Sequence, residues 1–225
     1  MSDSRTVLTH FKPWLPLGAA ALAAALILSA QTDKETVGSA SRVAPAALDA
    51  EMHGNILGKV NAGKGISVVW VEASPGKTFP KPDKSFAVAQ KALRFVPHVM
   101  AVPTGATVDF MNGDNVQHNI FWPAVSGNKK LGHTLGTWPK GQTRMFQFTT
   151  PGIVPLLCNV HPEMSAYIIV TPTPYLAETD DSGSFKISDV PDGSYTVTAW
   201  HEGYKTQSKP AVVASDVKVD FTLTK

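Results

Sequence analysis

From Leu57 onward the apolar residues of this chain alternate with polar ones in short runs, and each run is cut off by Gly, Pro, Asn or Asp before a helix could complete its turns. Period-two alternation turns one face of a segment toward a core and the other toward water, which is the pattern of a half-buried strand. Residues 66–71, 107–111, 143–149, 153–158, 167–170, 184–187, 195–199 and 217–223 read this way. No long helical period is apparent. A chain so divided folds as an all-β protein of one or more sandwiches. Two proline-rich stretches, between Ser74 and Lys84 and at Thr171-Pro172-Thr173-Pro174, are the natural joints between its parts.

The N-terminus has a different character. Residues 13–31 carry no charge, are rich in Ala and Leu, and follow a short segment bearing Arg5 and Lys12. That is the composition of an export signal over 1–31, either cleaved near Ala30 or kept as a membrane tether through 13–31; Leu28 is large where a cleavage site prefers a small residue. Residues 32–53, polar and small, suit a linker. The expected location is periplasmic, either soluble or anchored to the inner membrane. With 20 basic against 18 acidic residues and no basic run, nucleic acid is excluded as a partner. A single cysteine, Cys158, forbids an intrachain disulfide. An exported lone thiol must be buried or occupied, and a metal would occupy it.

Cys158-Asn159-Val160-His161-Pro162-Glu163-Met164 sets a thiolate, an imidazole and a thioether in one short loop after an apolar strand. Upstream, the polar turn Asn112-Gly113-Asp114-Asn115-Val116-Gln117 delivers a second imidazole, His118. Alone, Cys158 reads as a small buried hydrophobe and Met164 as a core filler. Their fixed spacing from His161, with His118 before them, makes a soft donor set of two imidazoles, one thiolate and one thioether. That set suits copper better than zinc, and it excludes calcium and magnesium. His53, His98, His133 and His201 read as structural or solvated.

Gly105-Ala106-Thr107-Val108-Asp109-Phe110-Met111-Asn112 leading to His118, followed by the C-x-x-H-x-x-M spacing, resembles the cupredoxin family, the plastocyanin- and amicyanin-like blue-copper proteins. The likeness includes Pro162 directly after the histidine and spans roughly 84–171. It implies a Greek-key β-sandwich over 76–171. It also implies one copper per chain, cycling between Cu(I) and Cu(II), held by His118, Cys158, His161 and Met164. Asn119 would bond across to the cysteine loop, Pro162 would stiffen it, and His161 would lie nearest solvent. Where many relatives have an aromatic residue two positions before the cysteine, this chain has Leu156.

Ser182-Gly183-Ser184-Phe185-Lys186-Ile187, Pro191-Asp192-Gly193-Ser194-Tyr195 and Gly203-Tyr204-Lys205 resemble the carboxypeptidase regulatory-like domain, a small transthyretin-like β-sandwich. Leu57-Gly58-Lys59-Val60 and 63–71 look like that family's opening hairpin. The expected unit is therefore discontinuous, 54–75 plus 172–225, with the copper-type sandwich inserted. Trp200, Tyr204 and Tyr175 are its candidates for a binding face and otherwise belong to its core.

No enzyme motif is present, so the expected function is single-electron transfer outside the cytoplasm between a redox protein donor and acceptor docking near His161. Copper storage or delivery is the alternative. A vestigial copper site on an adhesive or carbohydrate-binding module is a third reading.

Overall fold

The structure is a computed structural model and describes residues 52–73 and 77–225; the expected signal or anchor over 1–31, and nearly all of the linker expected over 32–53, lie outside the described residues. The chain opens with β1 (His53–Asn61) and β2 (Ser67–Val71). Then come β3 (Phe86–Gln90), β4 (Phe95–Val96), β5 (Val99–Pro103), β6 (Thr107–Asn112) and β7 (His118–Trp122). A 3-10 turn, Lys129–Leu131, precedes β8 (His133–Trp138), β9 (Thr143–Gln147), β10 (Gly152–Leu157) and β11 (Ser165–Thr171). The C-terminal part supplies β12 (Leu176–Glu178), β13 (Ser184–Pro191), β14 (Gly193–His201) and β15 (Gln207–Val213). It ends with β16 (Val217–Lys218) and β17 (Phe221–Thr222). The protein is all-β.

Four sheets stack face to face. The outermost, β4-β3-β6-β9, packs on β5-β11-β10-β7-β8 around a core that includes Phe110, Trp122, Trp138, Leu156 and Ile168. At the other side, β12-β2-β14-β15 packs on β13-β1-β16, with β17 also on β1, around Ile56, Val69, Val71, Val197 and Phe221. Strands β1 and β2 thus pair with strands more than a hundred residues away: His53 lies opposite Pro191 and Val71 opposite Val197. Everything from β3 to β11 is inserted between them in the chain.

The two inner sheets meet in a third core of Val68, Trp70, Val99, Ala101, Ile169 and Trp200. Strand pleating explains how. In β11, Ala166, Ile168 and Val170 enter the first core while Tyr167 and Ile169 face the third; in β2, Val69 and Val71 face one way and Val68 and Trp70 the other. Such strands are apolar on both faces, so 66–71 and 167–170, expected above as half-buried strands by alternation, are instead near-continuous apolar runs covered on both sides. Polar links close the same seam. The Glu178 carboxylate accepts from the edge amide of Ala101 at 2.8 Å, the Thr173 hydroxyl donates to the Val71 carbonyl at 2.7 Å, and His98 Nε2 pairs with Glu202 at 2.6 Å.

Two expectations need correction. His53, the last residue expected in the linker, already opens β1, because its pairing with Pro191 begins there. The strand expected over 217–223 is two short ones, β16 and β17, each running parallel to β1 and separated by Val219 and Asp220. His133, read as solvated, is exposed on the edge strand β8, with its ring centroid 5.2 Å from that of Trp122 and 4.8 Å from that of Phe146.

Candidate metal centre

Two segments of the β5-β11-β10-β7-β8 sheet converge at one end. His118 is the first residue of β7, opposite Trp138 of β8; Cys158 follows directly after β10, and the 158–164 loop returns into β11. Main-chain bonding closes that loop at its base, where the Met164 amide donates to the His161 carbonyl at 3.0 Å. His118 and Cys158 are buried, His161 is half-buried, and Met164 is buried in the same core as Cys158. Pro162 and Glu163 between them are exposed.

The side-chain donors face one another. His118 Nδ1 and His161 Nδ1 are 3.0 Å apart, and with Cys158 Sγ the three ligand atoms all lie within 4.8 Å of each other. His118 Nε2 is 2.9 Å from Asp114 Oδ2. A carboxylate only accepts, so Nε2 carries the hydrogen, and the other ring nitrogen, Nδ1, faces His161 and Cys158. Two imidazole nitrogens and a thiol sulfur meeting at one point, two of the three residues buried, fit a soft cation of low coordination number. Copper therefore fits these residues, with Met164 at the end of the same loop.

Asp114 holds the arrangement from behind. Its carboxylate also accepts the Ala92 N–H at 2.7 Å and the Leu93 N–H at 3.0 Å. Burial opposes its charge, but the bonds from Leu93, His118 and Ala92 outweigh that and hold the carboxyl below its ordinary value of 3.8. Ala92 and Leu93 reach it only from the left-handed region, with φ of 53° and 56°. Asn112, fully buried, bonds through its side chain to the Val116 and Trp138 carbonyls and to the Asp114 amide, which fixes the turn before His118.

Asn119 accepts the Asn159 N–H at 2.7 Å, linking the strand after His118 to the loop after Cys158. Gln90, buried beneath, reaches the Asn119 carbonyl with its Nε2 at 3.4 Å. Leu156 lies fully in the core. Of the histidines set aside, His201 is buried against Ser67 Oγ, and His98 spans from the Ser165 carbonyl to Glu202. Trp200 is buried, packing 5.2 Å from Tyr167. In the sequence Asn112 and Asp114 belong to the turn before His118 with no role of their own, and nothing marks the Ala92-Leu93 turn. Their only signal is a carboxylate four residues before His118 in a turn where acidic and amide residues are common for other reasons.

Residues 162–224 match the family model of the carboxypeptidase regulatory-like domain. The chain carries a carboxypeptidase regulatory-like segment. The match begins inside the ligand loop, and its first residues belong to that loop and to β11; the remainder supplies β12 to β17 of the regulatory-like sandwich. No curated protein matches the sequence. Among solved structures, an oxidised amicyanin variant is 22% identical over 40% of this chain and 84% of its own, with a TM-score of 0.36. A reduced amicyanin variant is 21% identical over 44% and 90%, also at 0.36. A copper-containing nitrite reductase from Thermus scotoductus is 24% identical over 45% of this chain but 25% of its own length, at 0.37.

Proposed function

We propose that this chain is a type 1 copper protein of the cupredoxin kind that carries single electrons outside the cytoplasm, and that it is not an enzyme. The observation that carries the reading is the convergence of two Nδ1 atoms 3.0 Å apart with the Cys158 thiol inside one sphere of 4.8 Å. When bound, copper supplies a one-electron couple that its protein ligands lack. His118, Cys158 and Met164 keep the centre dry, and the half-buried His161 is the edge that a donor or acceptor protein would approach. Hydrogen bonds accepted by Asp114 from His118 and by Asn119 from the Asn159 amide hold both ligand segments in place, so a change of charge at the centre costs little rearrangement of the protein. The uncharged 13–31 stretch is the basis for export to the periplasm, with or without a retained anchor.

The test is redox cycling in the presence of a Cu(I) chelator such as bicinchoninate. An electron carrier returns to the blue oxidised form after repeated reduction with its copper retained. Loss of the metal to the chelator at the first reduction would instead make the chain a copper store or donor.

A further inference from the structure

We propose that Glu202 and His98 are positioning residues for the Met164 end of the ligand loop, so that the regulatory-like sandwich helps to set the candidate copper centre of its neighbour. This rests on the copper reading and extends the machinery of that site into the second sandwich. The loop from Cys158 to Met164 is closed at its base by the antiparallel pair Leu157 and Ser165, the residues directly before Cys158 and directly after Met164. Whatever fixes Ser165 therefore fixes the step out of Met164 into β11.

One edge of Ser165 is held by that pairing with β10. On the other edge β11 runs beside β5, but the parallel ladder between them begins only at Tyr167 and Val99. His98 extends it. Its carbonyl accepts the Tyr167 N–H at 2.8 Å, and its ring Nδ1 lies 3.0 Å from the Ser165 carbonyl. Its Nε2 lies 2.6 Å from Glu202 Oε2. A carbonyl and a carboxylate only accept, so both ring nitrogens donate, and the imidazole is oriented from both sides.

Glu202 belongs to the other sandwich. It sits in the turn after β14, which the Tyr204 amide closes onto the His201 carbonyl at 3.1 Å. The Tyr167 hydroxyl hydrogen-bonds the same carboxylate. The Tyr167 ring stands edge-on to His98 at 6.0 Å and packs on Trp200 at 5.2 Å, which anchors the relay in the middle core. As an ion pair this link counts for little: the side chains of His98 and Glu202 are 50% and 42% exposed, and pairs so open to water contribute little to folding. Its effect lies in where it acts, one residue beyond Met164. A thioether is the weakest donor of the candidate set, so a small main-chain shift there alters the centre while leaving the fold intact.

The experiment compares the full chain with Glu202→Ala, Glu202→Gln and His98→Leu, first free of copper and then loaded. In the copper-free protein, Glu202→Ala and His98→Leu should shift the amides of Met164, Ser165 and Ala166. Glu202→Gln, whose amide oxygen still accepts from Nε2, should stay close to the parent. After loading, the first two variants should keep the blue absorption, show a raised reduction potential and lose copper affinity about tenfold, with Glu202→Gln again near the parent and the thermal midpoints nearly unchanged. Copper-free shifts confined to the turn around Glu202, an unchanged potential in both variants, or a Glu202→Gln protein that behaves like Glu202→Ala would each overturn the proposal alone. A parent chain that takes up no blue copper would overturn it together with the reading it rests on.

Discussion

Asp114 concentrates much of what holds His118: one carboxylate takes the hydrogens of Ala92, Leu93 and His118 Nε2, and its own amide is held by Asn112. Because its folded value lies below 3.8, its contribution to stability is present above that ordinary value and is lost as pH falls through the lower folded one. Asp114→Asn keeps the shape but removes the charge. The copper-free variant should unfold about 1 kcal/mol more easily at neutral pH, and its stability should converge with the parent's in acid below pH 3.8, followed by urea unfolding across the pH range. An unchanged difference down the whole acid limb would mean that the carboxylate's charge is not what the three donors hold. Asn119→Ala strands the Asn159 amide, which should cost about 1–3 kcal/mol and loosen the ligand loop; electron paramagnetic resonance of the copper form should then show a broadened or altered signal with the metal still bound.

At the scale of elements, strands exposed on one face were legible because their period of two survives in the sequence. Residues 107–111 and 184–187 sit within β6 and β13, each with neighbouring side chains in different surroundings, whereas β9, inside 143–149, is exposed except for a half-buried Phe146. Strand β5, Val-Met-Ala-Val-Pro, is buried on both faces and offers no alternation to read. The ligand loop was legible for a different reason, since its four chemical types sit at fixed spacing in one stretch. The support behind His118 was not, because Ala92, Leu93 and Gln90 reach the site through main-chain groups or across sequence distance, and neither leaves a mark on residue type. Glycines in β1 carry a further consequence. A Cβ at Gly58 would collide with the Val219 carbonyl and crowd the Phe185 ring, where the C-terminal segment bonds across to Leu57. Gly58→Ala should therefore destabilise the protein by about 1–3 kcal/mol, detectable by thermal unfolding, with the amides around Val219 exchanging fastest.

For the whole molecule, the middle core makes the two sandwiches one body, and its polar seam responds to alkali. Tyr167 lies in that seam against Trp200; burial, then the neighbouring charge of Glu202 and the hydrogen bond to it, push its hydroxyl above the ordinary 10.0. A raised folded value means the contribution is complete below the ordinary value and is lost as pH rises through the folded one. The parent should thus lose stability above pH 10 more steeply than Tyr167→Phe, and parallel alkaline limbs would show that the seam does not sense this proton. All of this depends on one centre of two imidazoles and a thiolate. The most direct measurement is the visible absorption of the purified chain titrated with Cu(II), beside Cys158→Ser. Saturation at one copper per chain is expected, with an intense band near about 600 nm, the thiolate-to-copper transition of a trigonal His₂Cys site, and its disappearance in the variant. A pale spectrum in the parent, or the same band in Cys158→Ser, would contradict it.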